Sequence, residues 1–365
     1  MTEFSGHDLS GLPIGHPPGR PSGRPGTTDP PEASVAGQAG GYPGRRRPRL
    51  RKGVSALPLS PRSSSDEKRR YGVASRLTDR DRAIVRAVAR LRVLTTEQLT
   101  ELFFHSATRG KTRLVTLYRL GLLDRFQPWR PGGGSWSYHY VLGREGAAVL
   151  AAERGEDPDR AARRWRPDKA LAIGRTQRLA HYTGVNGIFV GLAAHARQAP
   201  EARLAAWMTE RECTAWAEGI VRPDAFGEWR EEERSVEFFL EYDRGTENLA
   251  RLADKLAGYE RLEAERGVAS WILFVFPSPR REDGARRVLA RATVAVATAS
   301  LASPSKPHEA VWLPTSASGP RLRLAELADA PKPPEALRRA ATGGPRAWRF
   351  DRSDYDIEEA PIGLT

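Results

Sequence analysis

Apolar residues recur at helical spacing in three consecutive segments between residues 76 and 121. The apolar faces of the three segments consist, in order, of Ile84, Val85, Val88 and Leu91; Leu99, Leu102 and Phe103; and Leu114, Leu117 and Leu120. Thr78 precedes the first segment and is a residue type that caps helices, while Gly121 follows the third and is suited to end one. Three short amphipathic helices are therefore predicted, with 105–110 connecting the second to the third.

The hydrophobic period changes from helical spacing to alternation after the third helix. Residues 122–129 and 135–142 alternate as strands do, and the glycine-rich segment 130–134 between them favours a hairpin turn. A further helix is predicted at 143–155. The order of three helices and a hairpin is that of a winged helix-turn-helix, which places its third helix in the major groove of DNA and its hairpin on the adjacent backbone.

Polar and basic residues cluster where such a third helix would contact DNA. The groove candidates are Thr108, Arg109, Lys111, Thr112 and Arg113, and the phosphate candidates are Arg119 and, in the hairpin, Arg130. Residues 71–150 contain thirteen Lys or Arg and six Asp or Glu, which favours a polyanionic partner. An ordinary solvated helix face on a protein-binding unit would also explain these arginines.

From about residue 170 the pattern predicts a second set of elements in the order αβββαβ. The helix is expected within 173–198, the strands within 203–216, 219–229 and 235–243, the next helix within 246–265 with Thr246 as its cap, and a buried strand within 270–276. The preceding residues, 156–169, are expected to be a polar connector.

Three carboxylates fall at neighbouring strand ends in this second set. Asp224 begins the second strand, and Glu241 and Asp243 end the third on one side of it, because side chains alternate along a strand. Adjacent unpaired carboxylates repel, so a cation is expected nearby. Mg²⁺ or Mn²⁺ would suit oxygen ligands, which makes Asp224 and Glu241 candidate metal ligands. Lys255 on the following helix could extend its ammonium toward them.

Such an arrangement is suited to metal-assisted hydrolysis of a phosphodiester, with Asp224, Glu241, Asp243 and Lys255 as the candidate catalytic residues. Each of the residues near these acids allows two interpretations of its role. Arg244 would either bind phosphate or pair with Asp243, and Glu210 is either a third ligand or an exposed acid. Arg178 and His181 share a helix face and could reach the site, although a structural histidine is the commoner case.

The segments "RLAHYTGVN", "RPDAF" and "LEYDRGTENLARLADKLAGY" resemble the replication-relaxation proteins of actinobacterial plasmids and integrative elements, over roughly residues 76–280. The αβββαβ order with "RPDA", "EYD" and Lys255 also resembles the PD-(D/E)XK nuclease fold. The nuclease pattern places a lysine two residues after the glutamate, where this sequence has Asp243. Lys255 is then either a displaced replacement or an ordinary helix lysine.

The composition indicates what the two ends of the 365-residue chain are. Residues 1–70 are rich in Gly, Pro, Ser and Arg and are expected to be a disordered basic arm, and residues 316–365 a mostly irregular tail with a short helix near 333–341. The predicted domains are a winged helix-turn-helix at 71–155 and a nuclease-like domain at 170–315, so the fold class is α+β to α/β.

The net charge of +13 favours nucleic acid as the partner. One cysteine excludes intrachain disulfides and Cys-cluster zinc sites, and neither a membrane span nor a signal peptide is apparent, so a cytoplasmic location is expected.

These features predict a protein that binds double-stranded DNA, acts in replication, relaxation or transfer of a mobile element, and contacts other replication or transfer proteins. Three alternatives differ in what the second domain does. It would nick DNA with Mg²⁺ or Mn²⁺, or it would be an inactive scaffold of the same fold, or it would sense a small ligand for a transcription regulator. The last alternative predicts an apolar cavity without converging carboxylates.

Overall fold

The computed structural model describes residues 76–128, 136–246, 248–267, 269–300, 306–316 and 319–332. Three expectations fall outside these residues: the basic arm at 1–70, Arg130 in the hairpin loop, and the short helix near 333–341.

The amino-terminal part of the described chain consists of helices and a small antiparallel sheet. Its first elements are α1 (Asp79–Leu91), β1 (Leu94–Thr95), α2 (Thr96–Phe103), α3 (Ala107–Arg119), β2 (Leu123–Phe126) and β3 (His139–Leu142). Strand β3 lies between β1 and β2, which makes three antiparallel strands with the predicted hairpin at one side. The three predicted helices and the hairpin are therefore present.

Local capping explains where these helices begin. Thr78 accepts a hydrogen bond from the backbone N–H of Asp81, and the Asp81 carboxylate accepts one from the backbone of Thr78. The same reciprocal pattern starts α2 at Thr95. Ser106 caps α3, so this helix begins four residues before the predicted Lys111. Thr108 and Arg109 consequently lie in its first turn.

Helices continue where a polar connector was expected. After α4 (Arg144–Glu153) come α5 (Pro158–Arg164) and α6 (Pro167–Ala172), and a 3-10 turn follows at Ile173–Arg175. Asp157 caps α5, and both short helices have proline in their first turn, which is the position where proline is tolerated. Both helices are short and contain few large apolar residues, so the hydrophobic pattern did not predict them.

The carboxy-terminal part is a mixed sheet covered by helices on both faces. Its elements are α7 (Leu179–Ala196), β4 (Ala202–Thr209), α8 (Glu210–Trp216), β5 (Ala225–Glu231), β6 (Arg234–Tyr242), α9 (Ala250–Arg266), β7 (Trp271–Phe276), α10 (Pro279–Leu289), β8 (Val296–Ser300) and β9 (Leu313–Pro314). Within the described residues the six strands pair in sequence order. The β6–β7 and β7–β8 pairs are parallel, and the other pairs are antiparallel.

Two sequence expectations for this part were wrong, and its last elements were not predicted. The predicted strand at 203–216 ends at Thr209, which caps the short helix α8 in a reciprocal box with Glu212. Thr246 does not cap α9, because this helix begins at Ala250 with Leu249 at the cap position. The chain also adds α10, β8 and β9 after the predicted last strand. The expected order αβββαβ is present with α8 inserted.

Two apolar cores lie on the two faces of the large sheet. One contains Leu240, Leu273 and Val275 with α7, and it continues without a break into the apolar faces of α1, α2 and α3. The other contains Phe239 and Phe274 with the apolar sides of α9 and α10. Alternate residues of β6 therefore enter different cores. Whether a β6 residue has an odd or an even number determines which helices its side chain contacts.

The amino-terminal helices are joined to the sheet by this shared core and by polar contacts. The buried Asn186 of α7 donates its amide to the carbonyl oxygens of Leu91 and Val93, at 3.3 and 2.9 Å. Gln98 of α2 donates to the carbonyl oxygen of Thr183 at 2.8 Å. These bonds fix α7 against the end of α1 and the start of α2.

Two glycines of α7 provide a matched test of this packing. A Cβ at Gly184 would lie 2.7 Å from Tyr242 Oη and closer still to its ring, whereas at Gly187 the nearest atom is Gln98 Nε2 at 3.4 Å. Gly184→Ala should lower the free energy of unfolding by about 1–3 kcal/mol through overpacking. Gly187→Ala should be neutral or raise it by up to about 1 kcal/mol through helix propensity. Urea denaturation measures both, and equal effects would contradict the described contact of α7 with β6.

Candidate functional site

Asp224 and Glu241 face each other across the ends of β5 and β6. Ala225 pairs with Leu240 in the antiparallel register, and the backbone N–H of Asp224 continues the ladder by donating to the carbonyl oxygen of Leu240 at 3.1 Å. Directly opposed residues in such a pair project to the same face. The sequence expectation that these two carboxylates would be neighbours therefore agrees with the register.

Glu241 is a buried carboxylate with both oxygens occupied. Lys255 of α9 donates to Oε2 and Tyr259 donates its hydroxyl to Oε1, each at 2.6 Å. Burial raises the Glu241 pKa, and the nearby charge of Asp224 raises it further, while Lys255 and Tyr259 act in the opposite direction. The result is a pKa of about 7. The cation that the carboxylates required is thus supplied by Lys255.

Asp224 is also engaged through both oxygens. Its Oδ2 accepts from the backbone N–H of Tyr242 at 2.8 Å, and its Oδ1 lies 3.1 Å from Nε2 of His181 on α7. Burial lowers the pKa of His181, but the hydrogen bond to Asp224 and its charge outweigh burial, so the His181 pKa is raised. His181 therefore reaches the site, and it does so as the partner of Asp224.

Asp243 lies on the same side of β6 and has separate partners. Arg281 of α10 donates to Oδ2 at 2.7 Å, and the backbone N–H of Gly245 donates to Oδ1 at 2.6 Å. Arg244 donates to the backbone carbonyl of Gln177. The sequence allowed a pair between Arg244 and Asp243, but the arginine that pairs with Asp243 is Arg281. Glu210, the considered third ligand, pairs with Arg178 at 3.2 Å.

A divalent cation does not fit the carboxylates as they are arranged. The oxygens of Asp224 and Glu241 already bind His181, the Tyr242 backbone, Tyr259 and Lys255. Glu241 is also 1% exposed, whereas Mg²⁺ usually keeps several waters. In the described part of the chain, no group of three or more His, Cys, Asp or Glu side chains could hold a metal ion. Lys255 and Tyr259 would have to withdraw before Glu241 could coordinate one.

Two partners of the acids, Tyr259 and Arg281, were not among the residues expected at the site. Tyr259 follows Lys255 by four residues, so both project from one face of α9, and this spacing was a usable signal. Arg281 lies 38 residues after Asp243, on a helix that was not predicted. No local pattern could have identified it.

The DNA-contact candidates differ in exposure. Exposed positions on α3 are Thr108, Arg109, Lys111, Thr112 and Arg119. Arg113 is half-buried and forms a two-bonded ion pair with Asp81 of α1, with Nε donating to Oδ1 at 2.8 Å. Burial raises the Asp81 pKa, but the bonds from Arg113 and Thr78 outweigh burial, so that pKa is lowered. The Arg113 guanidinium thus holds α3 to α1.

Aromatic and cationic side chains also meet at the hairpin. The Arg125 guanidinium lies over the rings of Tyr118 and Tyr138, with its central carbon 4.4 and 4.0 Å from their centroids. Trp136 is 50% exposed and Tyr138 is 37% exposed. The described residues of the hairpin therefore present aromatic side chains to solvent, and Arg125 connects Tyr138 to Tyr118 of α3.

The raised Glu241 pKa predicts how stability depends on pH. Between its ordinary value of 4.5 and about 7, the folded protein binds more protons than the unfolded chain, so stability falls as pH rises through this window. The His181 pKa is raised as well, and its contribution, present at low pH, is also lost as pH rises. Glu241→Gln should remove the Glu241 part, on the order of 3 kcal/mol as an upper bound.

Urea denaturation from pH 5 to pH 8.5 provides the measurement for this prediction. The wild-type curve should decline more steeply with pH than the Glu241→Gln curve. Glu237→Gln, at an exposed position of the same strand, serves as the control and should follow the wild type. Parallel pH profiles for wild type and Glu241→Gln would contradict a raised pKa.

Comparison with known proteins gives one match. The family model described as replication-relaxation matches residues 85–270, which is just over half of the chain. No curated protein matches, and no solved structure matches. The matched range runs from the middle of α1 to beyond the end of α9, and it includes both the exposed side of α3 and the carboxylates at the ends of β5 and β6. No helix among the described residues is long and apolar enough to cross a bilayer.

Proposed function

Because this chain belongs to the replication-relaxation family, we propose that it binds double-stranded DNA and acts in the replication, relaxation or transfer of a mobile genetic element. The observation that supports this function best is the exposed first turn and a half of α3, with Thr108, Arg109, Lys111 and Thr112. A role in plasmid replication or relaxation follows from the family, and the contact with DNA is our proposal.

The proposed DNA contact uses the amino-terminal helices as a winged helix-turn-helix. In that arrangement α3 enters the major groove by its amino-terminal end, where Thr108 and Arg109 lie because Ser106 starts the helix early. Lys111 and Arg119 would contact phosphates, and the hairpin with Arg130 would contact the neighbouring backbone. Arg113 has a supporting role, since its ion pair with Asp81 sets the position of α3.

Exchanging the exposed cations of α3 should weaken DNA binding and reduce its dependence on salt. For Arg109→Ala with Lys111→Ala, we expect an affinity loss of roughly tenfold or more, because hydrogen bonds to charged groups contribute about 1.5–3 kcal/mol. The slope of log affinity against log salt should fall by about 1 for each phosphate contact removed. Fluorescence anisotropy with a labelled duplex measures both quantities.

A matched control variant lies on the large sheet. Arg203→Ala removes an exposed arginine of β4 and should leave duplex binding unchanged. If Arg203→Ala weakens binding as much as the α3 variant does, the contact is non-specific attraction to a basic protein, and the role of α3 is refuted.

We further propose that the carboxylates act as a structural element, so the chain engages DNA without cutting it. The supporting observation is that all four oxygens of Asp224 and Glu241 have protein partners. Cleavage that depends on Mg²⁺ or Mn²⁺ is the second candidate, and the convergence of Asp224, Glu241 and Lys255 favours it. The charged surroundings of Asp224 give no support to an apolar ligand-sensing domain.

Supercoiled plasmid incubated with the protein and Mg²⁺ or Mn²⁺ distinguishes the two candidates. We expect unchanged plasmid topology for the wild type, since Lys255 and Tyr259 occupy the Glu241 oxygens. Nicking that is lost in both Asp224→Asn and Glu241→Gln would overturn the structural role and establish the nuclease. Nicking that persists in both variants would indicate a contaminating enzyme, and the purification would be repeated with the Arg203→Ala protein in parallel.

A further inference from the structure

A pocket of about 450 Å³ lies where three elements of the fold meet. Its walls are the end of α1, the start of α7, and the junction between β4 and α8. Five arginines line it: Arg90, Arg92, Arg178, Arg211 and Arg222. The acidic residues in the lining are Glu210 and Asp224, so cations outnumber carboxylates. The volume is in the range of small-molecule sites, roughly 300–1,000 Å³.

The arginines differ in how far they are already engaged. Arg90 donates two hydrogen bonds to Glu212, at 2.8 and 2.9 Å, so its guanidinium is already engaged within the protein. Arg178 pairs with Glu210 at 3.2 Å but is 60% exposed, and Arg222 is 72% exposed with Glu210 at 3.7 Å. Arg92 and Arg211 are exposed. Most of the positive charge is therefore accessible to a ligand.

Arg92 is directed to this pocket by an uncommon backbone conformation. It ends α1 with φ of +69°, a value in the left-handed region that side chains other than glycine seldom adopt. The buried amide of Asn186 bonds the carbonyl oxygens on both sides of this residue, those of Leu91 and Val93, and so maintains the turn. Strain maintained by buried neighbours is typical of functional positions.

Tyr182 positions two of the guanidinium groups before any ligand arrives. The central carbons of Arg92 and Arg178 each lie 5.4 Å from the centroid of its ring, and Arg92 also donates to its hydroxyl at 3.2 Å. A long side chain that is already ordered loses less conformational entropy on binding. The two arginines thus resemble a prepared anion site rather than a solvated surface.

We propose that this pocket binds the phosphate of a nucleotide, either one unit of a DNA strand or a free mononucleotide. Planar guanidinium groups match the oxygens of phosphate in paired hydrogen bonds, which a single lysine does not provide. A carboxylate ligand has two acceptor oxygens and is matched by one guanidinium group in a paired hydrogen bond. A phosphate has more acceptor oxygens and more charge, so several arginines can engage it at once and offset the repulsion from Glu210 and Asp224.

The position of the pocket allows one DNA molecule to reach both sites. Helix α1 has 13 residues and spans about 20 Å. Asp81 at its start holds α3 through Arg113, and Arg92 at its end lines the pocket. The length of α1 therefore sets the separation between the two sites. The phosphate site itself does not depend on DNA contact by α3.

Calorimetric titration of the full chain tests the proposal with three probes. These are deoxyadenosine monophosphate, deoxyadenosine without phosphate, and a single-stranded oligonucleotide with a 5′-phosphate. The pocket variant is Arg92→Gln with Arg222→Gln, and the matched control is Arg203→Gln on an exposed position of β4. The monophosphate probe, which carries no further nucleotides to contact α3, separates this site from the proposed duplex contact. Circular dichroism confirms that each variant is folded.

The expected result is saturable binding of a phosphate-bearing probe that is weakened at least tenfold in the pocket variant and unchanged in Arg203→Gln. Binding of the monophosphate indicates a free nucleotide as the ligand, and binding of the oligonucleotide alone indicates a DNA strand. Absence of binding for both phosphate probes overturns the proposal. Equal affinity for deoxyadenosine, or an equal loss in Arg203→Gln, overturns it as well.

Discussion

The buried carboxylate of Glu241 constrains how α9 meets the sheet. An ionised group removed from water requires partners for its oxygens, and removing one partner of a buried ion pair costs about 3–5 kcal/mol. Lys255 and Tyr259, one helical turn apart, meet this need from a single face of α9. The helix can therefore neither rotate nor slide along its axis without leaving the carboxylate unsatisfied. The end of β6, and Asp224 opposite it, are held in place by the same bonds.

The same principle recurs at other buried acids of the fold. Asp81 is 1% exposed and is paired by Arg113, and Glu282 is 0% exposed and is paired by Arg321, at 2.7 Å, and by Thr298. In each case the arginine comes from an element distant in the sequence. A share of the arginine excess is therefore internal and connects elements. The net charge alone does not identify which arginines are available to a polyanion.

The sequence could predict the parts of the site that depend on local signals, but not those that depend on contacts between distant residues. Periodicity and caps located α1, α2 and the strands β5 to β7, because those signals are local. The convergence of Asp224, Glu241 and Lys255 was also within reach, since strand alternation and helix spacing place them on one side. The role of Arg113 could not be predicted, because its partner Asp81 lies 32 residues away in the sequence. Helix α8 was missed although Thr209 and Glu212 have the spacing of a capping box, because the strand prediction was continued through "ERECTAW".

Asp224 lies between two sets of charged groups. One set already has partners within the protein, and the other is accessible to solvent, and this difference bears on function. On one side, Glu241 and Tyr259 are buried, and each oxygen of the Glu241 carboxylate accepts a hydrogen bond, one from Lys255 and one from Tyr259. On the other side, the pocket that Asp224 lines has arginines that are exposed and only partly paired. A phosphate in that pocket would have more cations than carboxylates around it. Because Asp224 already accepts from the backbone of Tyr242 and contacts His181, its negative charge is partly compensated by groups of the protein, which lowers the repulsion that a phosphate would experience.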